Sequence, residues 1–149
     1  MNELDILRCM YEEHTTMGRH HEEQREKVTQ LVVLMGGGLL GWISHEHFCY
    51  HTIPVAGFLI VLGFFGWLIT QKHYERNRMH TTIAGAFRDE IGKRVDLALG
   101  KIRDDAKEVH EAKFPFLHNR RLHTMWGIFS LLISAAGIAC IVFTFVKSS

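Results

Sequence analysis

The sequence predicts an all-α membrane protein with three transmembrane helices, an N-terminal cytoplasmic helix, and a long amphipathic cytoplasmic helix between spans 2 and 3. Three blocks, residues 30–43, 53–69 and 125–146, contain no Lys, Arg, Asp, Glu or His. An apolar stripe of helical period runs through the charged segment between the second and third blocks. The whole chain is 47% hydrophobic and 22% charged, which is ordinary for a soluble protein. The segregation of the apolar residues, rather than their number, therefore predicts a membrane protein.

Residues 1–27 form the predicted N-terminal cytoplasmic amphipathic helix. The residues on one face of this helix recur at alternating steps of three and four positions, which is the repeat of a helix that packs against another helix. The members of this seam are Leu4, Leu7, Tyr11, His14, Gly18, His21, Arg25 and Val28. We therefore take His14, His21 and Arg25 as candidate residues of a cytoplasmic contact that gates the membrane helices.

Residues 28–71 form the predicted transmembrane hairpin, with spans at 28–44 and 53–70. Their charge-free blocks reach roughly 21 and 26 Å at 1.5 Å per residue, so each needs flanking residues to cross a hydrocarbon core of about 30 Å. The short connection between the blocks and Pro54, which fits the first turn of the second helix, both favour a hairpin.

Residues 72–123 form the predicted cytoplasmic helical region. Its apolar residues recur every three or four positions and predict one amphipathic helix over residues 79–109, with its stripe buried and a kink near Gly100. No residue between the second span and this helix signals a break, so the two are expected to run on as one rod. Pro115 is expected to end the helix, and residues 116–123 to form the turn into the next span.

Residues 124–147 form the predicted third transmembrane helix. Its charge-free block extends roughly 33 Å as a helix, enough to cross the hydrocarbon core. Lysine and arginine then orient the chain, because residues 1–27 carry four of them, residues 72–124 carry twelve and residues 44–52 carry none. Basic residues gather on the cytoplasmic side of a membrane. The N-terminus and the middle segment are therefore expected inside, and the C-terminus outside.

Small residues mark where the spans can approach one another closely. The positions are Gly37 and Gly41 in the first span, Gly63 in the second, and Ser130 and Ser134 in the third. Such residues let helix backbones meet in a lipid environment. Packing within one chain and self-association both fit this pattern, and three small-residue faces on three spans favour a homo-oligomer.

No catalytic residue, cofactor site or metal site is predicted, and the chain is not expected to be an enzyme. The motifs H-E-x-x-H, G-x-S-x-G and G-x-x-x-x-G-K-[ST] do not occur. His45, His47, Cys49 and His51 are residue types that bind zinc or copper, but polar residues that cap a tight hairpin are the favoured interpretation. The net charge of +1 predicts no nucleic-acid partner.

The histidines of the first helix are predicted to hold a contact that pH or a partner can bias. A neutral imidazole both donates and accepts hydrogen bonds, whereas an imidazolium needs nearby acids. Adjacent residues on a helix do not face each other, so the acids must come from another helix or subunit, with Asp89, Glu90 and Asp96 as candidates. The alternative is that His14 and His21 are solvated and have no such role.

The order of these features resembles a family of small membrane proteins. YEEH at residues 11–14 and RHHEEQR at 19–25 are followed by two short spans, and KHYERNRMH at 72–80 then opens a cytoplasmic helix. This layout over residues 4–95 is similar to that of the SLATT family of bacterial conflict systems. The resemblance implies a membrane-targeting effector or accessory subunit of an antiphage module in the bacterial inner membrane. The distribution of basic residues, and not the resemblance, predicts its cytoplasmic N-terminus and periplasmic C-terminus.

Two functions are therefore expected, with the same partners. The first is a homo-oligomeric antiphage effector that forms or gates a pore, or disrupts and depolarises the membrane. The alternative is a non-conducting membrane anchor that docks a cytosolic sensor or effector protein through its cytoplasmic helices. The expected partners are the lipid bilayer, a second copy of the chain and a cytosolic sensor or effector protein. Hydroxyls, Gln30 and glycine backbone are the polar groups that the spans offer to a pore.

Overall fold

The computed structural model describes residues 2–115 and 122–148, and all regular secondary structure in these ranges is helical. Its elements are α1 (Glu3–His45), a short 3-10 helix (Tyr50–Thr52), α2 (Ile53–Arg94), α3 (Leu99–Lys113) and α4 (Leu122–Ser148). Three of the helices, α1, α2 and α4, are long and apolar enough to cross a membrane. The prediction of an all-α chain with three candidate spans is thus confirmed. The predicted turn at 116–123 lies mostly outside the described residues.

Helix α1 runs without interruption from the predicted N-terminal helix into the first predicted span. Asn2 caps its start, because its Oδ1 accepts hydrogen bonds from the backbone N–H groups of Leu4 at 2.6 Å and Asp5 at 3.3 Å. The helix ends where His47 and Phe48 adopt positive φ angles of 57° and 56°. The backbone there turns toward α2, which likewise continues from the second predicted span into the charged segment.

The helix predicted over residues 79–109 is interrupted, which corrects the expectation of one long helix with a kink near Gly100. Helix α2 ends at Arg94, and Asp96 adopts a φ of 53°. The backbone N–H of Leu97 donates to the carbonyl oxygen of Gly92 at 2.9 Å, which closes the helix end in the manner of a Schellman motif. A Cβ at Gly92 would lie 2.7 Å from the oxygen of Leu97, so glycine is needed for this turn.

The apolar stripe of the same segment is buried only in part. Ile83, Phe87 and Ile91 on α2 are half-buried. On α3, by contrast, no described side chain is buried, and Ile102 and Val109 are 61% and 70% exposed. The expectation that the whole stripe is covered is therefore wrong for α3, because the turn at residues 95–98 removes that helix from the line of α2.

The chain divides into two compact units. The polar unit comprises Met1–Glu22 and Tyr74–Arg121, and the apolar unit comprises Glu23–His73 and Leu122–Ser149. The core of the apolar unit draws on all three long helices. Its buried members are Val32, Ile43, Ala56, Leu59, Ile133 and Cys140.

Candidate functional site

A cluster of three histidines lies in the polar unit, between the first part of α1 and the second part of α2. His14 and His21 are two helical turns apart and share one face of α1, and His80 faces them from α2. Nδ1 of His14 lies 2.9 Å from Nδ1 of His80. The ring centroid of His80 lies 5.2 Å from that of His14 and 5.5 Å from that of His21. Phe87 covers the cluster, with its ring stacked on His14 at 5.8 Å.

The 2.9 Å contact constrains the protonation of the pair. Two imidazole nitrogens share a hydrogen bond only when one donates and the other accepts, so His14 and His80 cannot both be imidazolium ions in this geometry. Burial lowers the pKa of His80 below its ordinary value, and charges on His14, His21 and Arg76 lower it further, while Glu13 opposes them. The structure therefore favours the neutral form of His80.

Within one chain, Asp89 and Glu90 pair with basic residues of their own helix, and the carboxylate that acts on His80 is that of Glu13 on α1. Stabilisation of the cluster by acids of another subunit stays a prediction. Asp89 is bound by Arg88 at 2.7 Å, and this hydrogen bond holds the pKa of Asp89 below its ordinary value. Glu90 pairs instead with basic residues of its own helix end, Lys93 at 3.2 Å and Arg94 at 3.3 Å. Asp96 has a different role, since it supplies the positive φ that ends α2.

His80 is the member of the cluster that the sequence argument missed. It lies seven residues before Phe87, the same spacing that relates His14 to His21. It is the last residue of KHYERNRMH at 72–80, which opens the predicted cytoplasmic region. A buried glycine explains the close approach of the helices here, because a Cβ at Gly18 would lie 3.1 Å from Oδ1 of Asn77.

Arg25 belongs to a different unit from His14 and His21. It is only 5% exposed in the apolar unit, and its carbonyl oxygen accepts a hydrogen bond from the hydroxyl of Thr29 at 2.9 Å. The three residues that the sequence placed on one seam are thus divided, two with the histidine cluster and one at the start of the apolar unit.

In the apolar unit, the small residues of α2 and α4 lie together. The hydroxyl of Ser134 donates to the carbonyl oxygen of Ile60 at 2.8 Å. A Cβ at Gly63 would lie 2.5 Å from Oγ of Ser134 and would also collide with the carbonyl oxygen of Ser130. Gly63, Ser130 and Ser134 therefore form a backbone contact within one chain, and any larger residue at position 63 would separate the helices.

The glycines of α1 divide into two faces. Gly36 packs within the chain, because a Cβ there would lie 2.9 Å from Cδ1 of Ile133. Gly37, Gly38 and Gly41 are exposed, and no described atom outside the neighbouring backbone of α1 lies within 4 Å of their Cβ positions. We call these three residues the open glycine face. It is not used for packing within the described chain.

The histidine-rich loop after α1 is organised around a carboxylate. Glu46 lies 3.3 Å from Nε2 of His51 and 3.6 Å from Nδ1 of His45, and the hydrogen bond from His51 lowers its pKa. Across residues 2–115 and 122–148, no group of three His, Cys, Asp or Glu side chains is arranged to hold a metal ion.

No protein-family model, curated protein or solved structure matches this chain. Function must therefore be inferred from the geometry of its own residues.

Proposed function

We propose that the chain is a homo-oligomeric effector of a bacterial antiphage system, which resides in the inner membrane and permeabilises or depolarises it. Residues 28–44, 53–70 and 124–147 are the proposed spans, with the N-terminus and residues 72–123 in the cytoplasm. Three helices of sufficient length and apolarity support this arrangement, and the distribution of basic residues supports its orientation.

The open glycine face is the observation that carries the proposal of self-association. Lipid provides no hydrophobic force to join helices, so helices in a membrane associate where small residues permit close contact. Gly63 already serves such a contact within the chain, whereas Gly37 and Gly41 lie open on a helix that also exposes Leu34 to 74%. A second copy of the chain has the right chemistry to cover them.

The placement of the hydroxyls bears on how such an oligomer would act. Thr29, Thr70 and Ser130 are buried inside the apolar unit of one chain, so they are not offered to a pore between protomers. The outer surface of α1 instead offers a pore the exposed side chain of Gln30 and glycine backbone. A pore lined in this way would be weakly selective and would close by dewetting.

Gly41→Leu tests the proposal, with Gly57→Leu as its matched control. Both substitutions add the same side chain at a glycine whose Cβ position is open, but only Gly41 belongs to the open glycine face. We expect Gly41→Leu to weaken self-association about tenfold, which corresponds to roughly 1.4 kcal/mol, and to reduce ion leakage in parallel.

The measurements are the mass of the protein in nanodiscs by light scattering and the conductance of liposomes that contain it. Equal mass and equal leakage for Gly41→Leu and wild type would contradict the proposal. An equal loss in both variants would also count against it, because bulk at any open glycine would then suffice.

The exposed side of α3 supports a second function, that of a non-conducting anchor. A helix with no buried side chain and with Ile102 and Val109 mostly exposed offers an apolar surface to a cytosolic protein. Assembled wild-type protein that leaves liposomes tight would favour this function over the first.

A further inference from the structure

The polar unit contains an apolar groove where α3 meets α1 and α2. The groove encloses about 670 Å³ and is formed by all three helices of the unit. Leu4 lines it from α1, Ile91 from α2, and Leu99 and Ile102 from α3. Its volume lies within the range of small-molecule sites, which are lined mostly by apolar side chains.

Each of the three helices also contributes one arginine to this groove. These are Arg8 from α1, Arg88 from α2 and Arg103 from α3, and Glu12 is the acid among the lining residues. Each guanidinium has a carboxylate partner on its own helix: Glu12 at 3.0 Å, Asp89 at 2.7 Å and Asp104 at 2.5 Å, respectively. Such partly exposed ion pairs are weak, so an incoming anion can compete for the guanidinium groups.

A second, polar cavity adjoins the apolar groove. It encloses about 360 Å³, and Tyr11 and Arg88 line both spaces. Its polar lining residues include Arg19, Glu22, Asn77 and Thr81. The side chain of Arg88 is 22% exposed, so its guanidinium lies partly enclosed at the junction between an apolar space and a polar one.

We propose that this groove binds an amphipathic anion, with a phosphate or carboxylate head at Arg88 and Tyr11 and an apolar body along Ile91 and Ile102. A guanidinium matches the oxygen geometry of phosphate and carboxylate in a way that a lysine does not. The apolar floor excludes inorganic phosphate as the whole ligand, and the three arginines disfavour a neutral amphiphile. A lipid of the bilayer and a soluble acyl compound share this chemistry.

Octyl phosphate is the probe, and the full chain in phosphatidylcholine nanodiscs is the protein to which it is added. Binding is followed by calorimetry, with empty nanodiscs as the blank, and by hydrogen exchange of the α3 amides. Arg103→Gln is expected to weaken binding about two- to fivefold, the effect of losing one partly exposed ion pair. Ile102→Asp, which places a carboxylate in the apolar floor, is expected to weaken it more than about tenfold.

Matched controls lie on the same helix outside the groove. Lys107→Gln removes a charge of similar exposure to Arg103, and Val109→Asp adds a carboxylate at an exposed apolar position like Ile102. Both controls are expected to bind octyl phosphate as wild type does, and octanol is expected to bind less well than octyl phosphate.

The arms of the experiment also separate the sources of the ligand. Protection of α3 by nanodiscs that contain phosphatidic acid, without added octyl phosphate, would identify a membrane lipid, and protection by octyl phosphate alone would identify a soluble anion. Either result supports the site. Absence of saturable binding to wild type, or equal losses in the groove variants and their controls, would overturn it. If the wild-type protein does not bind octyl phosphate and Ile102→Asp forms a smaller assembly than wild type, the groove is covered by a second copy of the chain instead.

Discussion

Acidification from about pH 8 to about pH 5 is expected to loosen the contact between His14 and His80, and His80→Gln is expected to remove most of this pH dependence. Glutamine can still donate and accept a hydrogen bond, but it does not titrate in this range. Because the pKa of His80 is below its ordinary value of 6.5, the opened state takes up the proton more readily than the closed state. The contact is therefore fully stable above the ordinary pKa and weakens as the pH falls through it toward the lowered one.

The magnitude follows from the geometry of the pair. Two unit charges at the 5.2 Å separation of the ring centroids repel by about 0.8 kcal/mol in water and by about 3 kcal/mol at an effective dielectric constant of 20. His14 and His80 remain partly exposed to water, which screens their charges. We therefore take a repulsion energy near the lower limit, about 1 kcal/mol. A repulsion of this size corresponds to about a fivefold larger population of the open contact, before any loss of the 2.9 Å hydrogen bond is counted.

Hydrogen exchange of the full chain in nanodiscs measures this opening at the amides around His14 and His80. Exchange rates are corrected for the intrinsic effect of pH, and His110→Gln serves as the control, because His110 is exposed on α3 in the same unit. Wild type and His110→Gln should show the pH-dependent opening, and His80→Gln should not. A protection factor that does not change with pH in wild type, or the same dependence in His80→Gln, would refute the reasoning.

Further substitutions test the fold and the orientation of the chain. Gly63→Ala should lower the free energy of unfolding of the apolar unit by about 1–3 kcal/mol through overpacking, whereas Gly57→Ala should not. Tryptophan fluorescence during heating compares the two variants. Asp96→Gly should increase the exchange protection of the amide at the end of α2 by up to about 1 kcal/mol, because glycine adopts a positive φ without strain. Gly92→Ala should decrease the protection of the same amide. Equal exchange in Asp96→Gly and Gly92→Ala would show that this turn does not limit the opening of the helix end. A reporter fused at Ser149 should behave as periplasmic, and a cytoplasmic signal would reverse the proposed topology.

The candidate site could be predicted from the sequence only in part, and the reason is the same for each miss. The heptad spacing of His14 and His21 predicted that they face another helix, and the structure places both against α2. The spacing could not identify His80 as their partner, because the register between the two helices depends on where Gly18 allows them to approach. The spacing also could not show that, within one chain, Glu90 pairs with Lys93 and Arg94 at its own helix end.

What the sequence by itself determined is the helical character of the chain and the presence of three segments fit to cross a membrane. Both follow from local properties, namely long blocks without charge and the absence of breaking residues where α1 and α2 pass from apolar to charged sequence. Tertiary structure decided which small residues are used within the chain and which are left open. Gly63 and Gly37 look alike in sequence, but Ser130 and Ser134 approach only the former. The break at residues 95–98 is local rather than tertiary, since the left-handed backbone of Asp96 belongs to a turn that closes with a hydrogen bond from Leu97 to Gly92. The apolar spacing of three and four continued across this turn and therefore did not reveal it.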